Sequence, residues 1–199
     1  MQHWKHEEFS YDICIPPFQK HVDDMSHEEI AMYFSWFMSV LPQRIDYLSE
    51  VCAAELSCDR SALDLSPESL RLLWRWFLKV AKTEDAILHR RPVQRPTMQT
   101  EYILRDVGMY LGETFQRNHE SLHWGYYLKP VDHYAYWPLI MGFVDRSCTP
   151  PFKMVFEPIG MAGRQAINAL GAFRVEKPPI PDEDALIKLY HRWEQFCID

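Results

Sequence analysis

The hydrophobic pattern of this chain changes from helical to alternating close to residue 119, and no other feature constrains the fold as strongly. Before Asn118, apolar residues recur at helical spacing. From Leu122 to Leu128 they alternate: Leu122, Trp124, Tyr126 and Leu128 fall on one side, and His123, Gly125, Tyr127 and Lys129 on the other. A run of helices followed by a run of strands predicts α+β rather than alternating α/β.

The helical half has clear punctuation. Ser26 and Glu29 form an S-x-x-E capping box, with Met25 and Ile30 at the staple positions. Ile30, Phe34, Phe37, Met38 and Leu41 follow at helical spacing, and Pro42 is expected to end or kink that helix. A second run carries Ile45, Leu48, Cys52 and Leu56. A third is expected to start with Ser66 as N-cap and Pro67 in the first turn, burying Leu70, Leu73, Trp74, Phe77, Val80 and Ala81. The segment from His89 to Pro96 is basic and proline-punctuated and reads as a solvated loop, with an anion-binding patch as the alternative. A fourth helix, 98–118, turns Ile103, Val107, Tyr110, Leu111 and Phe115 inward, with Gly108 and Gly112 on one face for close packing.

The second half predicts further strands over 139–144 and 152–157, joined by a turn-rich link suited to an antiparallel hairpin. A short helix over 162–170 ends at Gly171, and a last helix capped by Asp182 buries Leu186, Leu189, Tyr190, Trp193 and Phe196. The expected fold is thus about four N-terminal helices on an antiparallel sheet of about three strands, closed by a C-terminal helix. One domain over residues 1–199 accommodates it, since domains run to roughly 100–200 residues. Residues 1–24 are expected to be irregular, and 177–181 to form a proline-rich tether.

Apolar residues make up 47% of the chain, enough for a core without metal or disulfide staples. The formal charge of −7 argues against a general nucleic-acid binder, which needs clustered Lys and Arg. The most apolar stretch, Ile30 to Leu41, is about a dozen residues, short of the ~20 that span a bilayer. Five scattered cysteines without a C-x-x-C pair, and an N-terminus without an apolar leader, predict a cytoplasmic protein.

The string His119-Glu120-Ser121-Leu122-His123 matches H-E-x-x-H. On a helix this motif aims two imidazoles at one Zn²⁺ and uses the glutamate as general base. His119 and His123 as zinc ligands with Glu120 as base therefore define an alternative reading, a zinc-dependent hydrolase. The alternation through His123 opposes it, because it takes the second histidine off the helix. No spacing selects a third ligand among Asp132, His133, Asp145 and Glu157. His3 and His6 lie in the terminal segment.

Asp106, Tyr110 and Glu113 share a helix face, where a carboxylate pair could act in acid–base chemistry or pair with Arg90, Arg91 or Arg95. Trp137, beside Pro138 and after Tyr134 and Tyr136, offers an aromatic binding edge.

The stretch Asp106-Val107-Gly108-Met109-Tyr110-Leu111-Gly112-Glu113, followed by Leu122-His123-Trp124, resembles a pattern of bacterial α+β proteins in which a helix bearing Leu-Gly-Glu leads into a strand bearing tryptophan. Some of these are similar to immunity proteins that neutralise a toxin in the cytoplasm. The resemblance covers about 106–156 and transfers no catalytic residue. The leading expectation is a non-enzymatic, cofactor-free protein that binds another protein, of the toxin-immunity type, with no nucleic acid or membrane partner. Asp106, Tyr110, Glu113 and Trp137 are its candidate binding residues, and a homodimer is a further possibility.

Overall fold

The computed structural model describes residues 10–18, 24–128, 137–173 and 180–198. Among them are five α-helices and two small antiparallel sheets: α1 (His27–Leu56), α2 (Ser69–Val80), β1 (Thr83–Leu88), β2 (Arg91–Pro96), α3 (Met98–Asn118), β3 (His123–Gly125), β4 (Leu139–Asp145), β5 (Phe152–Phe156), α4 (Pro158–Leu170) and α5 (Ala185–Glu194). The α+β class holds. The number of helices and the division of the strands differ from expectation. The residues expected to form the bulk of the tether, 177–179, lie outside the described residues, as do His3, His6, Asp132, His133, Tyr134 and Tyr136.

The capping box forms at the start of α1: Ser26 Oγ accepts from the Glu29 amide, and the Glu29 carboxylate accepts from Ser26 N–H. The helix then runs through Pro42, joining the two helices expected from sequence. Proline in a helix interior costs about 3 kcal/mol. The apolar stripe continues in phase across it, however, and Phe37, Leu41, Ile45, Leu48 and Cys52 are all buried. Each such side chain contributes about 1.5–3 kcal/mol, so packing outweighs the break. The Ser66 cap opens a tight turn, with Leu70 N–H donating to Pro67 O, and α2 proper begins at Ser69. At the other end of the chain, Asp182 Oδ1 accepts from the Asp184 amide, so the predicted cap acts just ahead of α5.

The segment 89–96 is a correction. Only His89 and Arg90 form an exposed turn; Arg91–Pro96 is a strand that pairs residue for residue with Thr83–Leu88. Pro92 and Pro96 are tolerated because proline is compatible with an edge strand. The strand predicted from Leu122 to Leu128 is also shorter, ending at Gly125. Beyond it the chain leaves the sheet, and the Tyr126 ring meets Phe34 of α1 at 4.7 Å.

The larger sheet has the order β3-β4-β5, with β4 and β5 paired antiparallel as the turn-rich link between them predicts. One cluster of buried residues draws on all five helices and this sheet, with α3 in its midst. Phe115 of α3 meets Phe143 at 5.4 Å, Phe156 at 5.1 Å and Tyr190 of α5 at 4.4 Å. On its other side α3 packs on α4, where a side chain at Gly108 would strike the Ile159 backbone. The β1–β2 hairpin contributes no residue to this cluster.

Candidate functional site

The H-E-x-x-H string does not form a helical turn. Helix α3 ends at Asn118, and His119 caps it in an extended conformation, φ −140° and ψ 111°. His119 Nε2 lies 3.0 Å from Tyr190 Oη, with its ring stacked on the tyrosine. Glu120 is exposed in a turn, and His123 opens β3 with its side chain exposed. Hence the feature that gives the motif its meaning, two imidazoles one turn apart on a helix, is not formed. Among the described residues, no group of three or more His, Cys, Asp or Glu is placed to hold a metal ion.

The helix face of Asp106, Tyr110 and Glu113 makes hydrogen bonds within the fold. Asp106 is fully buried and does not pair with Arg90, Arg91 or Arg95. Its Oδ2 accepts from Tyr11 Oη at 2.7 Å and from Arg44 Nη2 at 2.6 Å and Nε at 3.0 Å. Burial pulls the Arg44 guanidinium down, and the hydrogen bonds and charge of Asp106 more than reverse it. A buried carboxylate needs such a partner, and distant surface arginines cannot supply it. Tyr110 Oη donates to Ser69 Oγ at 2.7 Å and accepts from the Leu65 amide. Glu113 Oε2 accepts from Trp124 Nε1 at 3.1 Å.

Trp137 is brought to a different set of residues. With Tyr33 of α1, Met98, Glu101, Tyr102 and Arg105 of α3 and Ile159 of α4, it lines a groove of about 440 Å³. On α3 the spacing places Met98, Tyr102 and Arg105 on one stripe over the first two turns. The Arg105 side chain is 10% exposed. Its guanidinium lies 5.0 Å from the Tyr102 ring centre and 5.6 Å from that of Trp36. Arg105 Nη2 donates to Cys14 O at 2.5 Å, while Nε faces Asp106 Oδ1 at 3.7 Å without a hydrogen bond. The groove is thus tied through Arg105 to the Tyr11–Asp106–Arg44 cluster beneath it.

Glu157 stands two residues before Ile159, the α4 residue that lines the groove. Its Oε2 caps that helix by accepting from Gly160 N–H at 2.6 Å, and its Oε1 is buried without a hydrogen bond. Burial pushes this carboxyl from 4.5 up to about 7, against the pull of the Gly160 and Ile159 amides and of Arg164. Tyr33 feels both charges. Burial raises its hydroxyl, Arg105 lowers it and Glu157 raises it.

Of these groove-lining residues, the sequence singles out Trp137 as a binding candidate but not Tyr33, Tyr102 or Arg105. The signal was the spacing of Met98, Tyr102 and Arg105 at i, i+4 and i+7, with an arginine on the side of the helix that also carries apolar residues.

No protein-family model, curated protein or solved structure matches this chain.

Proposed function

We propose that this chain is a protein-binding protein that holds a partner side chain or segment in the groove between α1, α3, α4 and Trp137. The observation that carries the reading is the gathering of Tyr33, Tyr102, Trp137 and Arg105, from three separate parts of the chain, around one open groove. Aromatic residues and arginine dominate binding hot spots, and the rings bury large areas with little loss of rotamer freedom. Arg105 is already fixed by Cys14 O and two rings, so little ordering remains to be done on binding.

The finer form of the proposal is an immunity-type protein that neutralises a toxin. Its support is the resemblance through Leu111-Gly112-Glu113 and Trp124, together with a net charge of −7 suited to steering towards a basic partner. The proposed compartment is the cytoplasm. Five free cysteines are in keeping with a reducing environment, and no described helix is long and apolar enough to cross a membrane.

The test is a pull-down from the native cell, paired with a protection assay against toxins encoded beside the gene. The proposal expects a stoichiometric protein partner that is lost on Tyr102→Ala. Recovery of no such partner, together with no protection, would overturn it.

A further inference from the structure

The β1–β2 hairpin stands outside the packed body. Residues 87–92 are all exposed, Ile87 by 82% and Leu88 by 42%. Its base is tied down by Thr97 N–H donating to Lys82 O, by buried Val93 and Pro96, and by Phe173 N–H donating to Gln94 O. Charges along the stem are satisfied internally: Arg95 pairs with Glu84, and the Gln94 amide donates to Asp85. At the tip this changes. Arg90 and Arg91 have no ion pair or side-chain hydrogen bond among the described residues, and residues 86–94 contain no carboxylate.

The turn itself is costly for the residues that form it. His89 and Arg90 have φ of 48° and 66°, the pair of left-handed conformations that a two-residue hairpin turn needs. Asn-Gly satisfies that geometry with the least strain; histidine tolerates it better than most residues, whereas Arg90 adopts it against its preference. A tip that carries Arg90 in a left-handed conformation beside exposed Ile87 keeps these side chains for a purpose other than making the turn.

We propose that the tip of this hairpin, Ile87 to Pro92, docks on a local acidic patch of the otherwise basic partner protein, with Arg90 and Arg91 meeting carboxylates and Ile87 filling an apolar site beside them. This rests on the reading of the chain as a protein-binding protein and adds a second contact to it. A protein surface fits better than nucleic acid for two reasons. Two free arginines on a chain of net charge −7 make a poor polyanion site, and an exposed isoleucine beside them has no use against a phosphate backbone.

The test uses the isotope-labelled full chain and a synthetic peptide of alternating leucine and glutamate as probe, followed by amide chemical shifts. The expected result is saturable shifts at residues 86–92, weakened about tenfold or more by the double substitution Arg90→Glu and Arg91→Glu and by raised salt. Ile87→Ser should weaken binding as well. All three sites are exposed, so the fold is not at risk, and thermal denaturation of each variant confirms that it is kept. Shifts absent from the hairpin, binding unchanged in the charge-reversed variant, or a thymidine oligonucleotide bound more tightly than the peptide would each overturn the proposal. If the arm fails while Tyr102→Ala still abolishes the cellular complex, the protein-binding reading stands and only the second contact is lost.

Discussion

The six-membered ring of Trp124 fills the space that a side chain at Gly112 would need, and its indole N–H donates to Glu113 Oε2 at 3.1 Å. A glycine and a glutamate on α3 thus receive one tryptophan from β3. The Leu-Gly-Glu string and the later tryptophan, separated in sequence, form a single contact that sets the first strand of the sheet on the central helix. The pattern that suggested a resemblance is therefore one of packing, and it carries no chemistry of its own.

This contact predicts opposite outcomes for two glycine-to-alanine changes. Gly112→Ala overpacks against Trp124 and Pro158 and should destabilise by about 1–3 kcal/mol. Gly163→Ala, inside α4 with open space around it, should stabilise by about 0.5–1 kcal/mol. Denaturant melts of the two variants beside the parent check the signs.

The buried pair of Arg44 and Asp106 predicts a large loss when one member is removed. Asp106→Asn removes the buried counter-charge of Arg44, leaving only the exposed Asp12 carboxylate 3.7 Å away, and should cost about 3 kcal/mol. Because Tyr11 and the Asp12 carbonyl share this cluster, the same variant should free the segment 10–18. Limited proteolysis should then cut there first, and cleavage elsewhere at an unchanged rate would contradict the assignment.

Much of this architecture is legible in the sequence because its signals are local. The Ser26–Glu29 box, the stop at Asn118, the strands over 139–145 and 152–156, and Gly171 after α4 each follow from a few neighbouring residues. What is not legible depends on distant partners. Pro42 is overridden by the burial of Ile45, Leu48 and Cys52. The β1–β2 hairpin turns on His89 and Arg90, residues that no turn rule selects. Arg105 looks like an ordinary helical arginine until Cys14, Trp36 and Asp106 close around it. The groove gathers residues more than 100 positions apart in sequence, Tyr33 and Trp137 among them, so no window could have assembled it.

Glu157 predicts a pH dependence. Its folded-state value of about 7 lies above its ordinary 4.5, so the folded protein holds this proton more tightly than the unfolded chain does. The resulting contribution is fully present below about pH 4.5 and is lost as pH rises through about 7, amounting to ~3 kcal/mol. Glu157→Gln should remove that slope. The stability difference between variant and parent should therefore shift in the variant's favour from pH 5 to pH 8, measured by denaturant unfolding at both. A difference independent of pH would contradict the burial argument.

The thiols should differ in reactivity. Burial pushes the Cys52 thiol up to about 12, and it is fully enclosed, whereas Cys148 is exposed. Under native conditions at mildly alkaline pH, a disulfide reagent should modify Cys148 quickly and leave Cys52 untouched until the protein unfolds. Equal rates would show that the α1–α2 core opens readily.

The central claim is that the aromatic groove holds a partner protein. Its most direct test is the affinity of the purified partner for the parent chain and for Tyr102→Ala and Trp137→Ala, with each variant's melting temperature in hand. The account predicts that both variants keep the fold and lose about thirtyfold or more in affinity, the scale of a binding hot spot. Unchanged affinity in two folded variants would contradict it.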